Sequence, residues 1–233
     1  MRSIPDNLQA VKARIAGAAR AAGRDPAAVT LLAVSKTHAP ALIEEAFGAG
    51  QSAFGENYVQ EALDKMAALA RLAIEWHLVG PLQSNKTRAA AEHFQWVHTI
   101  DREKIARRLS EQRPEAMRAL DVLVQVNVSG EASKSGVAPH EVAALAKAVA
   151  ALPRLRLRGL MSVPEPTDDA RLQRARFREV RELLESLKGE GFALDTLSMG
   201  MSADMEAAIA EGSTMVRIGT AIFGERQKVK DAA

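Results

Sequence analysis

Apolar positions along the chain recur with two alternating periods. The opening segment carries Ile4, Leu8, Val11 and Ile15 at helical spacing. Ser3 followed by Asp6 makes a capping-box pattern at its start, and Gly23 with Pro26 closes it. From there, short runs rich in β-branched residues fall at 29–35, 52–55, 75–79, 95–100, 120–128, 155–162, 194–199 and 214–218. Helical stretches lie between them at 40–49, 57–72, 84–94, 102–113, 139–151, 168–188 and 202–212, with a last one from 220. Asn57, Ser84, Asp101 and Ser202 stand where N-caps belong, and Pro139 suits a first turn. Eight strands, each followed by a helix, in 233 residues predict an α/β protein. The architecture expected is a single (β/α)8 barrel of the TIM type with an extra N-terminal helix, one domain over 1–233. An open doubly wound sheet also alternates strand and helix, but eight evenly spaced units favour closure. No G-x-G-x-x-G follows the first strand, which counts against a dinucleotide fold.

Composition narrows the chemistry. Lys and Arg number 31 against 29 Asp and Glu, a net charge of +2 that gives no support to nucleic-acid binding by bulk charge. Aromatics are too few, at 4%, to form a base-stacking surface. The absence of cysteine removes disulfides, thiolate zinc sites and cysteine nucleophiles together. Five histidines without HExxH spacing give a metal site no support. Arg2, Asp6, Lys12 and Arg14 precede any long apolar run, unlike a signal peptide, and no stretch is apolar enough to span a membrane. A cytoplasmic protein with no membrane partner is expected.

In a barrel, chemistry gathers where strands end and helices begin. The first strand delivers Lys36 at its C-terminal end, in parity with Leu32 and Val34, so the three share one face. If that face is the interior, a partly desolvated amine stands at the mouth, as a Schiff-base nucleophile requires. A lysine that merely ends a strand in water gives the same pattern. The seventh strand ends in Ser198-Met199-Gly200-Met201-Ser202 and the eighth in Arg217-Ile218-Gly219-Thr220. Loops in these two places are the usual phosphate site of the fold: glycine admits close backbone approach and hydroxyls donate to an anion. Simple helix caps and turns would use the same residues. Taken with Lys36, they suggest a ligand bearing both a phosphate and a carbonyl. Arg154, Arg156 and Arg158 suit one polar face of a strand. Arg171, Arg174, Arg176, Arg178 and Arg181 share a helix with Glu179, Glu182 and Glu185, as on a solvated face. His77, His93 and His98 read as core or surface histidines.

Several ordered stretches resemble one known family over about Leu8 to Arg226. They are Ala33-Val34-Ser35-Lys36, Phe54-Gly55-Glu56-Asn57-Tyr58, the run from His77 to Lys86, Asn127-Val128-Ser129-Gly130-Glu131 with Lys134-Ser135-Gly136, Gly159-Leu160-Met161, Ser198 to Ser202, and Val216 to Gly224. The chain resembles the pyridoxal phosphate homeostasis protein family, related to the N-terminal barrel of alanine racemases. The resemblance implies pyridoxal 5′-phosphate (PLP) held as an internal aldimine on Lys36. It implies that Ser202, Gly219 and Thr220 hold the phosphate, that Arg217 faces the pyridine nitrogen, and that Asn57 lies near the ring. It further implies a monomer that carries and buffers PLP, with apo PLP-dependent enzymes as possible recipients and no assigned reaction. The alternative is a PLP-dependent amino-acid enzyme such as a racemase, which needs a base on each face of the substrate carbon. In alanine racemases a domain after the barrel supplies the second base, a tyrosine. Here the sequence runs only about nine residues past Gly224, and Tyr58 is its one phenol. A sugar-phosphate aldolase is less favoured because the sixth strand offers arginines and no lysine. The small-residue stretch Ser129 to Gly136, after the fifth strand, reads as a mobile loop that brings Lys134, a second amine, near the mouth.

Overall fold

The β-branched runs form parallel strands that pair in sequence order and close into a barrel: β1 (Thr30–Val34), β2 (Ala53–Glu56), β3 (Glu75–Leu78), β4 (Trp96–Ile100), β5 (Leu120–Val126), β6 (Leu155–Ser162), β7 (Thr196–Ser198) and β8 (Met215–Ile218). Closure comes from β8 against β1, with Leu32 in register with Arg217. Helices cover the outside: α1 (Ile4–Ala21), α2 (Pro40–Gly48), α3 (Val59–Ala68), α4 (Thr87–His93), α5 (Glu103–Gln112), α6 (Val142–Ala150), α7 (Ala170–Gly189), α8 (Met205–Ala210) and α9 (Thr220–Phe223). This computed structural model describes residues 3–131 and 134–225. No helix among them is long and apolar enough to cross a membrane.

The extra helix has a structural reason. At four residues, α9 is too short to cover β8, and α1 packs against both α8 and α9 in its place. The capping box of Ser3 and Asp6 forms as predicted. Ile4, Leu8, Val11 and Ile15 are buried, each worth about 1.5–3 kcal/mol. Asn7 Nδ2 donates to the Ile222 carbonyl, and Arg24 donates to those of Ile209 and Ser213, pinning the helix to the last βα units.

The predicted N-caps are displaced. Tyr58, Arg102 and Asp204 occupy the N-cap positions of α3, α5 and α8, and Ser84 opens a 3₁₀ turn (Ser84–Lys86) before α4. The causes are local: Tyr58 and Arg102 are still extended where α3 and α5 begin, and a turn over 202–204 precedes α8, so Asn57 and Ser202 are presented to the mouth instead of being used as caps. Pro139 likewise opens a 3₁₀ turn (Pro139–Glu141) ahead of α6. The arginines of α7 also differ from expectation. Arg174, Arg178 and Arg181 converge on Glu211, which is 1% exposed, and Arg176 pairs with Glu165, so this face ties α7 to its neighbours.

Strand alternation sorts the core. Leu31 and Ala33 pack outward with the helices, while Leu32 joins Ala53 and Met215 inside. The interior is unusually polar: His77, His98, Gln125, Ser198 and Arg217 are all buried there. On its floor Asp121, 1% exposed, is held by Arg156 and Arg158, so these arginines serve the barrel's N-terminal end.

Burial pushes both His77 and His98 below the ordinary histidine value, His98 well below it. A base whose pKa falls on folding leaves the unfolded chain binding more protons than the folded one below about pH 6.5. Stability from these two groups is therefore full above that value and declines as pH falls through it, by up to about 1.4 kcal/mol per unit for each histidine. Urea midpoints should fall between about pH 7.5 and pH 5, and His98→Gln should flatten that dependence. An unchanged slope in the variant would place the titration elsewhere.

Candidate functional site

A cavity of about 500 Å³ opens at the C-terminal mouth of the barrel, and the six residues singled out from sequence, Lys36, Asn57, Ser202, Arg217, Gly219 and Thr220, all line it. Val34, Val79, Pro81 and Met161 give it apolar walls.

Lys36 is positioned from both sides by one buried network. Ser35 Oγ donates to Glu56 Oε1 at 2.6 Å, and Lys65 Nζ donates to the Ser35 carbonyl and to Glu56 Oε1, each at 2.8 Å. Lys65 also pairs with Glu61 Oε1 at 2.6 Å, and that same oxygen accepts the Thr37 amide at 2.6 Å. Thr37 has φ of 65°, a left-handed conformation that is costly for a β-branched residue and is held here by the Glu61 bond. Burial pushes the Glu56 carboxyl up, and Lys65 opposes that shift. Sequence reasoning missed Lys65, because Glu61 and Lys65 at i,i+4 look like an ordinary surface pair; Lys65 is 4% exposed.

Asn57 is set by a close backbone approach. A Cβ on Gly80 would lie 2.2 Å from the Asn57 carbonyl oxygen, so only glycine fits beside it. On the opposite wall, Gly200 has φ of 96°, and a Cβ there would lie 2.6 Å from Ala208 Cβ, which fixes the bend leading to Ser202. Because Asp204 stands at the N-cap position of α8 and Gly219 at that of α9, Ser202 and Thr220 cap neither helix. Their hydroxyls make no hydrogen bond to the described residues and border the cavity as uncommitted donors.

Arg217 spends its two terminal nitrogens on the barrel wall. Nη1 donates to the carbonyl and Oγ of Ser198, and Nη2 to the Ser162 carbonyl at 2.8 Å. Nε is left without a partner among the described residues. Burial pushes the guanidinium down to about 10, with Asp204 opposing, so it remains protonated at neutral pH. Lys134 also lines the cavity; its Nζ is 3.4 Å from the Glu131 carboxylate and makes no hydrogen bond among the described residues. In the stretch expected to be mobile, Ala132 and Ser133 lie outside the described residues. Its flanks are tied to β5 and the turn after it: Asn127 Nδ2 donates to the Glu131 carbonyl and Gln125 Nε2 to that of Ser135.

An amine, two uncommitted hydroxyls and a guanidinium N–H around apolar walls suit a flat, anionic, carbonyl-bearing ligand. Comparisons with known proteins agree with this chemistry. The family model described as "Alanine racemase, N-terminal domain" matches residues 7–227. A pyridoxal phosphate homeostasis protein of Pseudomonas aeruginosa is 62% identical over 226 residues, 97% of each chain. One of Escherichia coli K12 is 54% identical, covering 99% of this chain and 100% of its own. PipY of Synechococcus elongatus PCC7942, solved with PLP bound, superposes with a TM-score of 0.84 at 37% identity, over 95% of this chain and 100% of that one. An alanine racemase of Corynebacterium glutamicum, 20% identical with a TM-score of 0.69, shares the fold. Barrel, cavity and sequence therefore converge: the chain belongs to the alanine racemase N-terminal domain family and, within it, to the pyridoxal phosphate homeostasis proteins.

Proposed function

We propose that this chain is a cytoplasmic, monomeric, single-domain PLP-binding protein that holds the cofactor covalently at Lys36 and passes it to apo PLP-dependent enzymes. The observation that carries the reading is the cavity itself: Lys36, the uncommitted hydroxyls of Ser202 and Thr220, and Arg217 border one space of about 500 Å³. When bound, PLP supplies an aldehyde that condenses with a primary amine and a phosphate that needs donors. Lys36 is the amine, its backbone fixed between Ser35 and Thr37 by the Glu56, Lys65 and Glu61 network. Ser202 and Thr220 donate to the phosphate. Gly219 supplies a surface without a side chain, since a Cβ there would already lie 3.1 Å from the Val34 carbonyl oxygen. Asn57, which lines the same cavity, would lie near the ring, and Arg217 would offer its Nε to the ring nitrogen.

Arg217 also favours a carrier over a racemase. A guanidinium protonated at neutral pH only donates, so a ring nitrogen meeting it stays unprotonated and draws electrons poorly from a substrate carbon. Tyr58, the single phenol, is exposed and is not among the residues lining the cavity. Loaded protein mixed with an apo PLP-dependent enzyme should restore its activity, and alanine incubated with loaded protein in deuterated water should keep its α-proton. Rapid α-proton exchange would replace this reading with the racemase one.

Lys134 is the candidate for handing over the cofactor, because it lines the same cavity as Lys36 and its buried amine, once turned into that space, could exchange with Lys36, amine for amine. Lys134→Ala should leave the visible spectrum of loaded protein intact while slowing transfer to an apoenzyme. Transfer at the wild-type rate would leave release to hydrolysis at Lys36.

A further inference from the structure

A line of hydrogen bonds runs through the barrel interior from its N-terminal rim to the cavity. Glu75, 41% exposed at the start of β3, places Oε1 2.8 Å from His77 Nε2. His77 Nδ1 lies 3.0 Å from His98 Nε2 on β4, and His98 Nδ1 lies 2.9 Å from Ser198 Oγ on β7. Ser198 Oγ accepts Arg217 Nη1 at 2.8 Å. Both histidines are wholly buried, and Trp96 stacks on His77 with centroids 5.3 Å apart and planes 8° from parallel. Asp121 and Arg118 are the other charged groups acting on His77, and His77 itself and then Arg217 are those acting on His98.

The proton order along this line is dictated by its two ends. A guanidinium can only donate and an ionised carboxylate can only accept. With Arg217 donating to Ser198 Oγ, the serine hydrogen turns to His98 Nδ1. His98 is then protonated at Nε2 and donates to His77 Nδ1, and His77 donates from Nε2 to Glu75. Each link has one hydrogen, and both histidines are neutral. The reverse order needs a protonated Glu75 and strands the serine hydrogen without an acceptor, whereas the bond from His77 holds the Glu75 carboxyl below its usual range.

We propose that Glu75, His77, His98 and Ser198 are positioning residues that form a one-way relay, fixing Arg217 with Nε toward the cavity and bringing a remote negative end to a buried cation. Arg217 has no salt bridge among the described residues, so this line is its bonded route to a carboxylate. A polarised chain in a low-dielectric interior is stronger than its separate bonds, so its far end is felt at the cavity.

Nitrogen-15 NMR of the ligand-free protein reads the relay directly. Both histidines should be neutral Nε2–H tautomers from about pH 8 down to pH 6. Glu75→Leu, which removes the terminal acceptor on the side of the barrel away from the cavity, should let the His77 tautomers mix and weaken PLP binding about three- to tenfold. Glu75→Gln keeps an acceptor oxygen and should restore a single tautomer and near wild-type binding. A proton on Nδ1 of either histidine, or wild-type PLP affinity in Glu75→Leu, would overturn the relay. The affinity arm rests on the PLP reading. Were the wild-type protein to bind no PLP, that reading would fall, and the tautomers alone would decide the relay.

Discussion

Lys65→Met should lower the unfolding free energy by about 3–5 kcal/mol, far more than loss of a surface lysine. The ammonium serves three acceptors at once, the Ser35 carbonyl and the carboxylates of Glu56 and Glu61, at 2.6–2.8 Å. Methionine fills much the same volume but leaves Glu56, which is fully buried, with Ser35 Oγ as its remaining donor. The carboxyl would then be driven further up and titrate toward neutrality, as an uncompensated buried charge must. Adding Glu56→Gln to Lys65→Met should recover a good part of the loss, because the cost lies mostly in the stranded charge. Denaturant unfolding of the two single variants and the double variant checks this. A loss below about 1 kcal/mol for Lys65→Met would put the pair in the class of surface ion pairs. The same variant releases the residues on both sides of Lys36, so cofactor attachment should weaken with stability.

The second large effect belongs to the anion end of the cavity. Ser202→Ala combined with Thr220→Val removes two hydroxyls that cap no helix and bond to nothing else described. If both donate to a phosphate, their loss should cost about 3–6 kcal/mol, two to four orders of magnitude in PLP affinity, less whatever water restores. Pyridoxal lacks the phosphate, and its affinity should change little. Titrations of both ligands against wild-type and doubly substituted protein separate the cases. Equal weakening of the two would show that the hydroxyls shape the loops and do not bind the anion.

The barrel was legible in sequence because its two periods do not overlap: β-branched runs of four to nine residues alternate with amphipathic stretches, and every strand lies where it was expected to within a few residues. Lys36 could be placed on the face of Leu32 because parity is a local property of one strand; that this face is the interior is visible only in the structure, where Leu32 packs inside and Lys36 lines the cavity. Helix starts were legible only roughly. Asn57 and Ser202 have the chemistry of caps, and nothing local reveals that an extended Tyr58 follows the one and a turn to Asp204 the other before each helix begins. The polar interior was not legible at all. His98 and Ser198 are 100 residues apart, and their contact depends on the barrel closing β4 opposite β7. Lys65 was hidden for a related reason: its i,i+4 partner is visible in sequence, but the strand that buries it is not.

Borohydride reduction followed by peptide mapping addresses the central claim, that this barrel holds PLP through Lys36. Protein loaded with PLP should be yellow, lose that colour on reduction, and carry one pyridoxyl-phosphate adduct on the peptide containing Lys36, absent from Lys36→Ala. An adduct found only on another lysine, Lys134 included, or a wild-type protein that reduction leaves unlabelled, would contradict it.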